Sequence, residues 1–407
     1  MSERNAGPVA SVAALQALES RFAMPTYNRA PVEFVRGEGS RLWDSEGAEY
    51  LDFFSGLSVH NAGHCHPEIV AAITDQVARL AGASNLYYSE PAMRLHERLS
   101  LLSLGGRSFL CNSGAEANEC AIKLVRRHAH RRGVAKPEIV VLDGAFHGRT
   151  IAALAATPRL ADESKFGPLP AGFVAVARDD PAALAAAVGP QTAAVLIEPV
   201  QGEAGVYPIG DQVLLAAREA TRAAGALLVF DEIQTGMGRT GTLWAHQGGP
   251  VTPDVLTTAK ALGGGLPVGA CVIGPDLGDG LQLGEHGSTF AGGPIGARAA
   301  LAALGLLSDP NLLEHVKEMG EVLAQRCLEI EGVAGVRRRG LMLGLELEPG
   351  LDAREVASDA LAAGLVVNAP NPETVRLLPP LVIAKREISL GADLLAASVG
   401  GAVDRRT

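Results

Sequence analysis

The sequence predicts an α/β protein in which a mainly parallel β-sheet is covered by helices on both faces. Three short runs are apolar at every position rather than at every second one, which is typical of strands buried on both faces. These runs are Ile139–Leu142, Ala193–Ile197 and Ala226–Phe230. They alternate with stretches of helical periodicity between about residues 65 and 290, and such alternation indicates a parallel sheet.

Helical periodicity defines the other predicted elements. The helices expected in the sheet region are Pro67–Leu80, Pro91–Leu102, Ala115–Arg131 and Asp211–Ala224. After Gly293 come two long helical patterns, and strand-like pieces follow around Gly340–Glu348 and Val375–Leu378 with a helix between them. This second block predicts a smaller α/β domain.

Length and composition suit a globular protein. The chain has 407 residues, of which 47% are apolar and 20% charged, so it can bury a large core in two or three domains. We expect an N-terminal segment (1–63) that packs on the small domain, a large domain (64–293) and a small C-terminal domain (294–407).

Charge and cysteine usage exclude several classes of protein. A net charge of −10 argues against nucleic-acid binding, and the one basic cluster, Arg126–Arg132, is interpreted as the solvated last turn of a helix. Five cysteines without a CxxC pair are poor evidence for disulfides or zinc. No apolar run could span a bilayer and no secretory signal precedes Glu19, so we expect a cytoplasmic protein.

The strongest local motif is Asn112–Asn118, which opens a long predicted helix. Ser113 and Glu116 have the spacing of a capping box, and Gly114 allows close approach to the backbone. The free amides at such a helix start bind anions, phosphate above all. An ordinary capped helix would show the same pattern, so the motif alone does not establish a site.

Two further positions carry chemistry. Asp231 ends an apolar strand at the sheet edge where ligands bind, and it either pairs with a cationic ring nitrogen or caps the next element. Lys260 lies among small and apolar residues before Gly263–Gly265. Desolvation lowers the pKa of a lysine and makes its neutral amine available for covalent chemistry. The common alternative is that a lone lysine before a glycine-rich turn is a surface residue. Together with the helix start, these residues supply what pyridoxal phosphate needs: a phosphate cradle, a carboxylate and an amine.

Two other patterns are weaker. Gly236–Gly241 matches G-x-G-x-x-G and Asp254 falls near the distance of a ribose-binding acid, but the motif neither follows its strand directly nor opens a helix. A nicotinamide cofactor is therefore not expected. His60, His64 and His66 suggest a metal site, yet the last two precede a proline and an apparent helix as ordinary turn residues, and no metal is expected.

The chain resembles, nearly end to end, the class III (subgroup II) pyridoxal-phosphate-dependent aminotransferases, and among them the acetylornithine aminotransferases. The matching motifs, in order, are Trp43–Asp52, Gly63–Pro67, Ser84–Tyr88, Asn112–Asn118, Phe146–Thr150, Glu198–Glu203, Asp231–Gly241, Lys260–Gly265, Gly287–Phe290 and Arg376–Pro380. The resemblance implies a fold-type I transferase. It also implies transfer of the distal amino group of an acylated diamino acid, N2-acetyl-L-ornithine being favoured, to 2-oxoglutarate through a Schiff base of pyridoxal 5'-phosphate. The products are a semialdehyde and L-glutamate, in arginine biosynthesis.

The same resemblance assigns the cofactor site. Lys260 forms the Schiff base and moves the proton, and Asp231 pairs with the pyridinium nitrogen. The other implied cofactor-binding residues are Ser113, Gly114, Ala115, Phe146, Gln234 and Thr289. Of these, Thr289 comes from a second subunit, so a homodimer with shared active sites is expected.

Substrate binding is implied at Tyr27, Arg149, Glu203, Ser288 and Arg376. Arg149 takes the α-carboxylate of the acylated diamino acid, and Arg376 binds that of glutamate or 2-oxoglutarate as a bidentate pair. Glu203 pairs with Arg376 when no α-carboxylate is present. Ser288 accompanies Thr289 from the second subunit.

Several amino donors are compatible with this prediction. Free ornithine, a carrier-linked (LysW-linked) lysine, succinyldiaminopimelate and 4-aminobutyrate are used by relatives with nearly the same cofactor residues. An aminomutase or a decarboxylase of the same fold is a further alternative. Arg376 argues against the aminomutase, because external 2-oxoglutarate needs that carboxylate clamp.

Overall fold

The computed structural model describes residues 11–406. The first ten residues of the predicted N-terminal segment and Thr407 of the predicted small domain lie outside the described residues. Within this range the helices are α1 (Val12–Phe22), α2 (Ser55–Ser58), α3 (Pro67–Arg79), α4 (Glu90–Leu102), α5 (Gly114–Arg131), α6 (Ile151–Ala155), α7 (Glu163–Phe166), α8 (Pro181–Ala187), α9 (Asp211–Ala224), α10 (Pro294–Leu307), α11 (Pro310–Leu328), α12 (Ala353–Ala362) and α13 (Lys385–Arg406). Among the described residues, none of these helices combines the length and apolarity needed to cross a membrane.

The strands form a central sheet and three smaller ones. They are β1 (Phe34–Glu38), β2 (Arg41–Asp44), β3 (Glu49–Asp52), β4 (Ser108–Cys111), β5 (Glu138–Leu142), β6 (Phe173–Val176), β7 (Thr192–Ile197), β8 (Val200–Gln201), β9 (Tyr207–Pro208), β10 (Leu227–Asp231), β11 (Val255–Thr258), β12 (Gly269–Ile273), β13 (Val333–Arg339), β14 (Met342–Leu347), β15 (Leu365–Val366), β16 (Asn368–Asn371) and β17 (Thr374–Leu377).

The central sheet has the strand order β4-β12-β11-β10-β7-β5-β6. All neighbouring pairs are parallel except those of β12, which runs antiparallel to both β11 and β4. The predicted mainly parallel sheet is therefore confirmed, and the three predicted strands correspond to β5, β7 and β10.

Both faces of this sheet are covered. On β5, Ile139 and Val141 pack in a cluster with residues of α5, whereas Val140 and Leu142 pack on the other face with residues of α8 and α9. Because alternate residues face different helices, every position from Ile139 to Leu142 must be apolar. The uninterrupted apolar runs in the sequence have this origin.

The C-terminal part contains an antiparallel sheet in the order β13-β14-β17-β16, next to α11 and α12, and α13 packs on these two helices. The N-terminal strands are tied to this part of the chain, since β3 pairs in parallel with β15, Leu51 lying opposite Leu365. This pairing agrees with the expected packing of the N-terminal segment, although the three domain boundaries stay a prediction. The 22-residue α13 was not predicted; its Gly391 lies against the ring of Phe53, where a Cβ would approach to 2.2 Å.

The G-x-G-x-x-G segment has a structural role here. Gly236–Gly241 forms consecutive turns and is followed by a short 3₁₀ helix, Ala245–Gly248. Arg239 within it is fully buried and donates to the carbonyl oxygens of Leu341 (2.8 Å) and Pro379 (2.7 Å). The segment thus connects the end of β10 to the C-terminal sheet.

The histidines near residue 64 also make local contacts. His64 Nε2 lies 2.6 Å from the buried carboxylate of Asp52, and its ring packs on His60 with centroids 4.3 Å apart. His66 is the N-cap residue of α3, directly before Pro67.

Candidate active site

A cavity of about 460 Å³ opens at the carboxyl edge of the central sheet, between the ends of β5, β7 and β10 and the start of α5. Nine of the residues singled out in the sequence line it: Ser113, Gly114, Ala115, Phe146, Arg149, Glu203, Asp231, Gln234 and Lys260. Arg376 stands directly behind Glu203. Ligands of open α/β sheets bind at this edge.

The start of α5 is built as an anion site. Ser113 Oγ accepts the N–H of Glu116 at 3.2 Å, and the Glu116 carboxylate in turn accepts the N–H of Asn112 at 2.6 Å, one residue earlier than in a standard capping box. The N–H groups of Gly114 and Ala115 have no hydrogen-bond partner among residues 11–406, and both residues line the cavity. Two free amides at a positive helix end suit a phosphate group.

Asp231 is held by three donors. Its Oδ2 accepts from Asn118 Nδ2 at 2.7 Å and lies 2.8 Å from His147 Nδ1, and its Oδ1 accepts the N–H of Ile233 at 3.1 Å. Asn118 is itself oriented by Thr257, whose hydroxyl donates to the amide oxygen at 2.7 Å. Asn118 and His147 belong to motifs recognised in the sequence, but their contact with Asp231 was not predicted.

Lys260 begins a 3₁₀ helix, Lys260–Gly263, with a positive φ of 45°. Burial lowers the pKa of its amine, and the opposing effects of the Glu203 and Asp231 carboxylates offset this only in part. Its side chain makes no hydrogen bond within the described part of the chain. An amine with a lowered pKa and no partner is available for covalent chemistry.

Glu203 and Arg376 form an ion pair at the cavity wall, with Arg376 Nη1 2.7 Å from Glu203 Oε1. Arg376 is 1% exposed, and its Nε and Nη2 donate to Asn368 Oδ1 at 3.0 and 2.7 Å. Gln234 joins the pair, since its amide oxygen accepts from Arg376 Nη1 at 3.3 Å. Burial opposes the charge of Glu203, but Arg376 and Lys260 outweigh it and lower the pKa of Glu203 to about 2.

Arg149 provides a second guanidinium at the same cavity. It is exposed and lies over the ring of Phe146, 5.6 Å from its centroid. Within the described residues it has no ion pair, in contrast to Arg376. Glu198, which was quoted in a motif but given no role, also lines the cavity and accepts the Phe146 N–H at 2.8 Å. It follows an apolar strand as Asp231 does, which could have identified it.

Four predicted residues lie outside the cavity lining of this chain: Arg376, which stands behind Glu203, and three others. Ser288 Oγ accepts from Asn112 Nδ2 at 3.0 Å, next to the start of α5. Thr289 is exposed, and Tyr27 is 71% exposed with the Arg29 guanidinium 5.2 Å from its ring centroid. Their roles in a shared site therefore stay predictions.

The donor set fits pyridoxal phosphate. The free amides at Gly114 and Ala115 suit its phosphate, and Asp231 offers a fixed carboxylate to its ring nitrogen. The amine of Lys260 suits its aldehyde, and Phe146 offers an aromatic face to its ring. These groups surround one cavity rather than separate ones.

Comparisons with known proteins agree with this interpretation. The family model described as aminotransferase class-III matches residues 23–399. The acetylornithine aminotransferase of Streptomyces coelicolor is 47% identical over 384 residues, covering 93% of this chain and 91% of the relative. Among solved structures, acetylornithine aminotransferase from Elizabethkingia anophelis has a TM-score of 0.86 and 31% identity, covering 97% of this chain and 100% of that one. Ornithine aminotransferase from Toxoplasma gondii, crystallised with partial occupancy of PLP, has a TM-score of 0.92 and 31% identity, covering 98% and 96%.

Proposed function

The chain belongs to the class-III aminotransferases, and we propose that it moves the distal amino group of N2-acetyl-L-ornithine to 2-oxoglutarate, giving the N-acetylated semialdehyde and L-glutamate. It is an enzyme with a fold-type I architecture and pyridoxal phosphate as its cofactor. The observation that carries transfer from the distal amine is the Glu203–Arg376 ion pair beside the free guanidinium of Arg149, and the choice of acetylornithine rests on the named relatives. The names of relatives at 41–47% identity support the same donor.

Four groups of this chain would hold the cofactor and move the proton. When bound, pyridoxal phosphate supplies an electron sink for the charge left as a proton leaves the carbon bearing the amine. The amides of Gly114 and Ala115 would bind its phosphate, and Asp231 would keep the ring nitrogen protonated. Lys260 would bind the cofactor covalently and, because burial lowers the pKa of its amine, would also suit the base that takes the proton from the carbon bearing the substrate amine.

Two carboxylate sites explain how one cavity serves two substrates. A diamino substrate must present its distal amine, whereas glutamate must present its α-amine. While Glu203 neutralises Arg376, the α-carboxylate of acetylornithine binds Arg149 and the distal amine reaches the cofactor. When glutamate or 2-oxoglutarate enters, its α-carboxylate displaces Glu203 from Arg376 and its side-chain carboxylate uses Arg149.

The donor is tested with a panel of amines. Purified enzyme is assayed with 2-oxoglutarate and acetylornithine, ornithine, succinyldiaminopimelate, 4-aminobutyrate or a carrier-linked lysine, and kcat/KM values are compared. We expect acetylornithine to give the highest value. A higher value for any other donor would contradict the assignment and identify that donor instead, without affecting the class of the enzyme. The choice of acetylornithine places the enzyme in arginine biosynthesis, and we also propose a cytoplasmic location.

We further propose a homodimer in which Thr289 and Ser288 complete the phosphate site of the neighbouring subunit. Thr289 and Phe290 are both exposed in the single chain, Phe290 by 78%, although they follow a serine held by Asn112 at the cofactor site. Leu86, Tyr87 and Tyr88 are also exposed, by 87%, 74% and 94%, on the segment whose Asn85 donates to the Ser288 carbonyl oxygen, and a group of exposed apolar side chains indicates a contact surface.

Subunit mixing tests this arrangement. Lys260→Ala and Thr289→Asp chains are each inactive alone, but in a mixed dimer one of the two sites carries neither change. We expect about a quarter of wild-type activity after random exchange, because half of the dimers are mixed and half of their sites are intact. No recovery in verified mixed dimers, or a fully active monomer in sedimentation, would rule the shared site out.

A further inference from the structure

Glu198 and Asp231 occupy equivalent places at the end of adjacent strands. Ile197 of β7 and Phe230 of β10 are direct partners in the parallel register, so Glu198 and Asp231 follow side by side at the carboxyl edge. Adjacent strands are about 4.8 Å apart, which brings the two carboxyl groups into one site.

The two side chains point to the same face. Ile197 and Phe230 pack together in the cluster beneath α9, and successive residues of a strand face opposite sides of a sheet. Glu198 and Asp231 accordingly both line the cavity, and both are nearly inaccessible, at 7% and 4% exposure.

Their hydrogen bonds are unequal. Asp231 receives three donors, from Asn118, His147 and Ile233. Glu198 receives one, the N–H of Phe146 on Oε1. Two carboxylates in one buried site cannot both ionise cheaply, and the charge stays where donors stabilise it.

We propose that Glu198 and Asp231 share a single negative charge, carried by Asp231, and that Glu198 is kept as a neutral carboxylic acid whose carbonyl oxygen holds the Phe146 N–H. Burial, followed by the charge of Asp231, raises the pKa of Glu198 well above its ordinary value, while the Phe146 N–H and Lys260 oppose this. The proposal concerns the aminotransferase site itself and does not depend on which amine is the donor.

A neutral Glu198 matters because of the other charges around it. Glu203 approaches from the loop after β8 and is neutralised by Arg376 of β17, and Lys260 approaches from the turn after β11. His147, after β5, is committed to Asp231. A second free carboxylate beside Lys260 would raise the pKa of that amine and so oppose the effect of its burial. Glu198 is therefore a positioning residue: it fixes Phe146 and, being neutral, does not oppose the lowering of the Lys260 pKa.

The test uses the cofactor-free protein and the isosteric variant Glu198→Gln. A carboxyl group with a raised pKa in the folded state stabilises that state fully only below its unfolded pKa, and the contribution is lost as pH rises through the folded pKa. A glutamine side chain does not titrate, so the stability of Glu198→Gln has no such dependence on pH at this position. The unfolding constant of wild type relative to Glu198→Gln should therefore rise by up to about tenfold per pH unit above about pH 5, measured by urea unfolding.

Glu203→Gln is the matched control. Its carboxyl group has a folded pKa of about 2, so the ratio of its unfolding constant to that of wild type should be flat over the same range, about pH 5 to 9. A flat ratio for Glu198→Gln as well would show that Glu198 is ionised in the folded protein and would overturn the proposal.

Infrared spectroscopy gives a second readout on wild type itself. Near neutral pH, the cofactor-free wild type should show the carbonyl stretch of a protonated carboxylic acid, and Glu198→Gln should lose it. Absence of this band in folded wild type would equally overturn the proposal.

Kinetics of the loaded enzyme compare two variants. Glu198→Gln should keep kcat/KM within about threefold of wild type, because its amide preserves both the acceptor for the Phe146 N–H and the neutral charge. Glu198→Ala removes the acceptor, and its kcat/KM should fall by more than about tenfold.

Discussion

The two sides of the cavity are held in different ways. On the cofactor side, the Asp231 carboxylate has three fixed donors within 3.1 Å and is 4% exposed. On the substrate side, the 1%-exposed Arg376 is neutralised by Glu203, whose side chain is 23% exposed to the cavity. The first arrangement has no alternative partner, while the second has a partner that a ligand carboxylate can replace.

This difference matches what each side must do. The cofactor is used in the same way with both substrates, so its carboxylate partner can be fixed. Arg376 must be available to only one of them. Asn368 holds its Nε and Nη2 regardless of Glu203, so the guanidinium keeps its position when Glu203 leaves.

The exchange involves a side chain rather than a loop. The backbone at Glu203 and directly after it is anchored, because Arg159 donates to the carbonyl oxygen of Glu203 and Asn371 to that of Ala204. Arg337 holds the next carbonyl, that of Gly205, at 3.1 Å. Only the carboxylate of Glu203 is therefore free to leave Arg376.

The largest effect is expected from a substitution on the cofactor side of the cavity. Lys260→Ala removes the only lysine between the Asp231 strand and the C-terminal part, so both half-reactions should fall by on the order of 10³-fold or more. The visible absorbance of the covalently bound cofactor should disappear as well. Lys165→Ala, at an exposed lysine paired with Asp162, is the control and should leave both unchanged. Normal turnover in Lys260→Ala would refute the assignment.

The next effect separates the two substrates. Arg376→Ala removes the α-carboxylate site of glutamate and leaves Glu203 without its cation, so the glutamate half-reaction should fall by on the order of 10²-fold. Arg149→Ala should instead lower the rate of the acetylornithine half-reaction more strongly than that of the glutamate half-reaction. Single-turnover rates with each donor measure both. Equal losses with the two donors in both variants would show that the arginines do not divide the substrates.

A smaller effect, in favour of glutamate, is expected when the carboxylate that neutralises Arg376 is removed. Glu203→Ala leaves the Arg376 guanidinium uncompensated, and an incoming α-carboxylate restores the charge balance. We expect the ratio of the glutamate to the acetylornithine single-turnover rate to rise by about tenfold, with α-transamination of free ornithine rising too. If Glu203 is only a structural acid, both rates should fall together and the ratio should not change.

The same pair should be insensitive to pH. The pKa of Glu203 is lowered to about 2, so its pairing with Arg376 is complete above the ordinary pKa of a glutamate and is lost only as pH falls through about 2. Titration of Glu203 should therefore not change the ratio of the glutamate to the acetylornithine single-turnover rate between about pH 6 and 9. Protonation of Glu203 does not drive the exchange; the arriving carboxylate does.

The sequence was informative where chemistry and local structure coincide. The start of α5 could be predicted because Ser113 and Glu116 act within one helical turn, and Asp231 because it ends a strand that is apolar throughout. The family resemblance then added roles, such as that of Arg376, that no local pattern shows.

The rest depends on contacts between distant parts of the chain. Glu203 and Arg376 are 173 positions apart, and the Asp231–Asn118 contact spans 113. Nothing local marks such pairs. The basic cluster was expected to be solvated, yet Arg126 donates to the carbonyl oxygen of Ala171 and is partly buried, because the helix end packs on another loop.

The smallest expected effect concerns the phosphate cradle. Ser113→Ala removes the hydroxyl that accepts the Glu116 N–H at 3.2 Å at the start of α5. Loss of such a cap costs about 1 kcal/mol in the free energy of unfolding, and a frayed first turn presents the Gly114 and Ala115 amides less well, so cofactor affinity should fall a few-fold. The rates of both half-reactions should fall equally, because the change lies on the side of the cavity that the two substrates share.

Asp180→Ala is the matched control. It removes the side chain that caps α8 by accepting from the N–H groups of Ala182 and Ala183, and Asp180 does not line the cavity. It should lower the free energy of unfolding by a similar amount while leaving cofactor affinity unchanged. Urea unfolding of the cofactor-free proteins and titration with pyridoxal phosphate measure the two quantities separately. Equal losses of cofactor affinity in both variants would show that Ser113 acts only through overall stability and that the start of α5 is not the phosphate site.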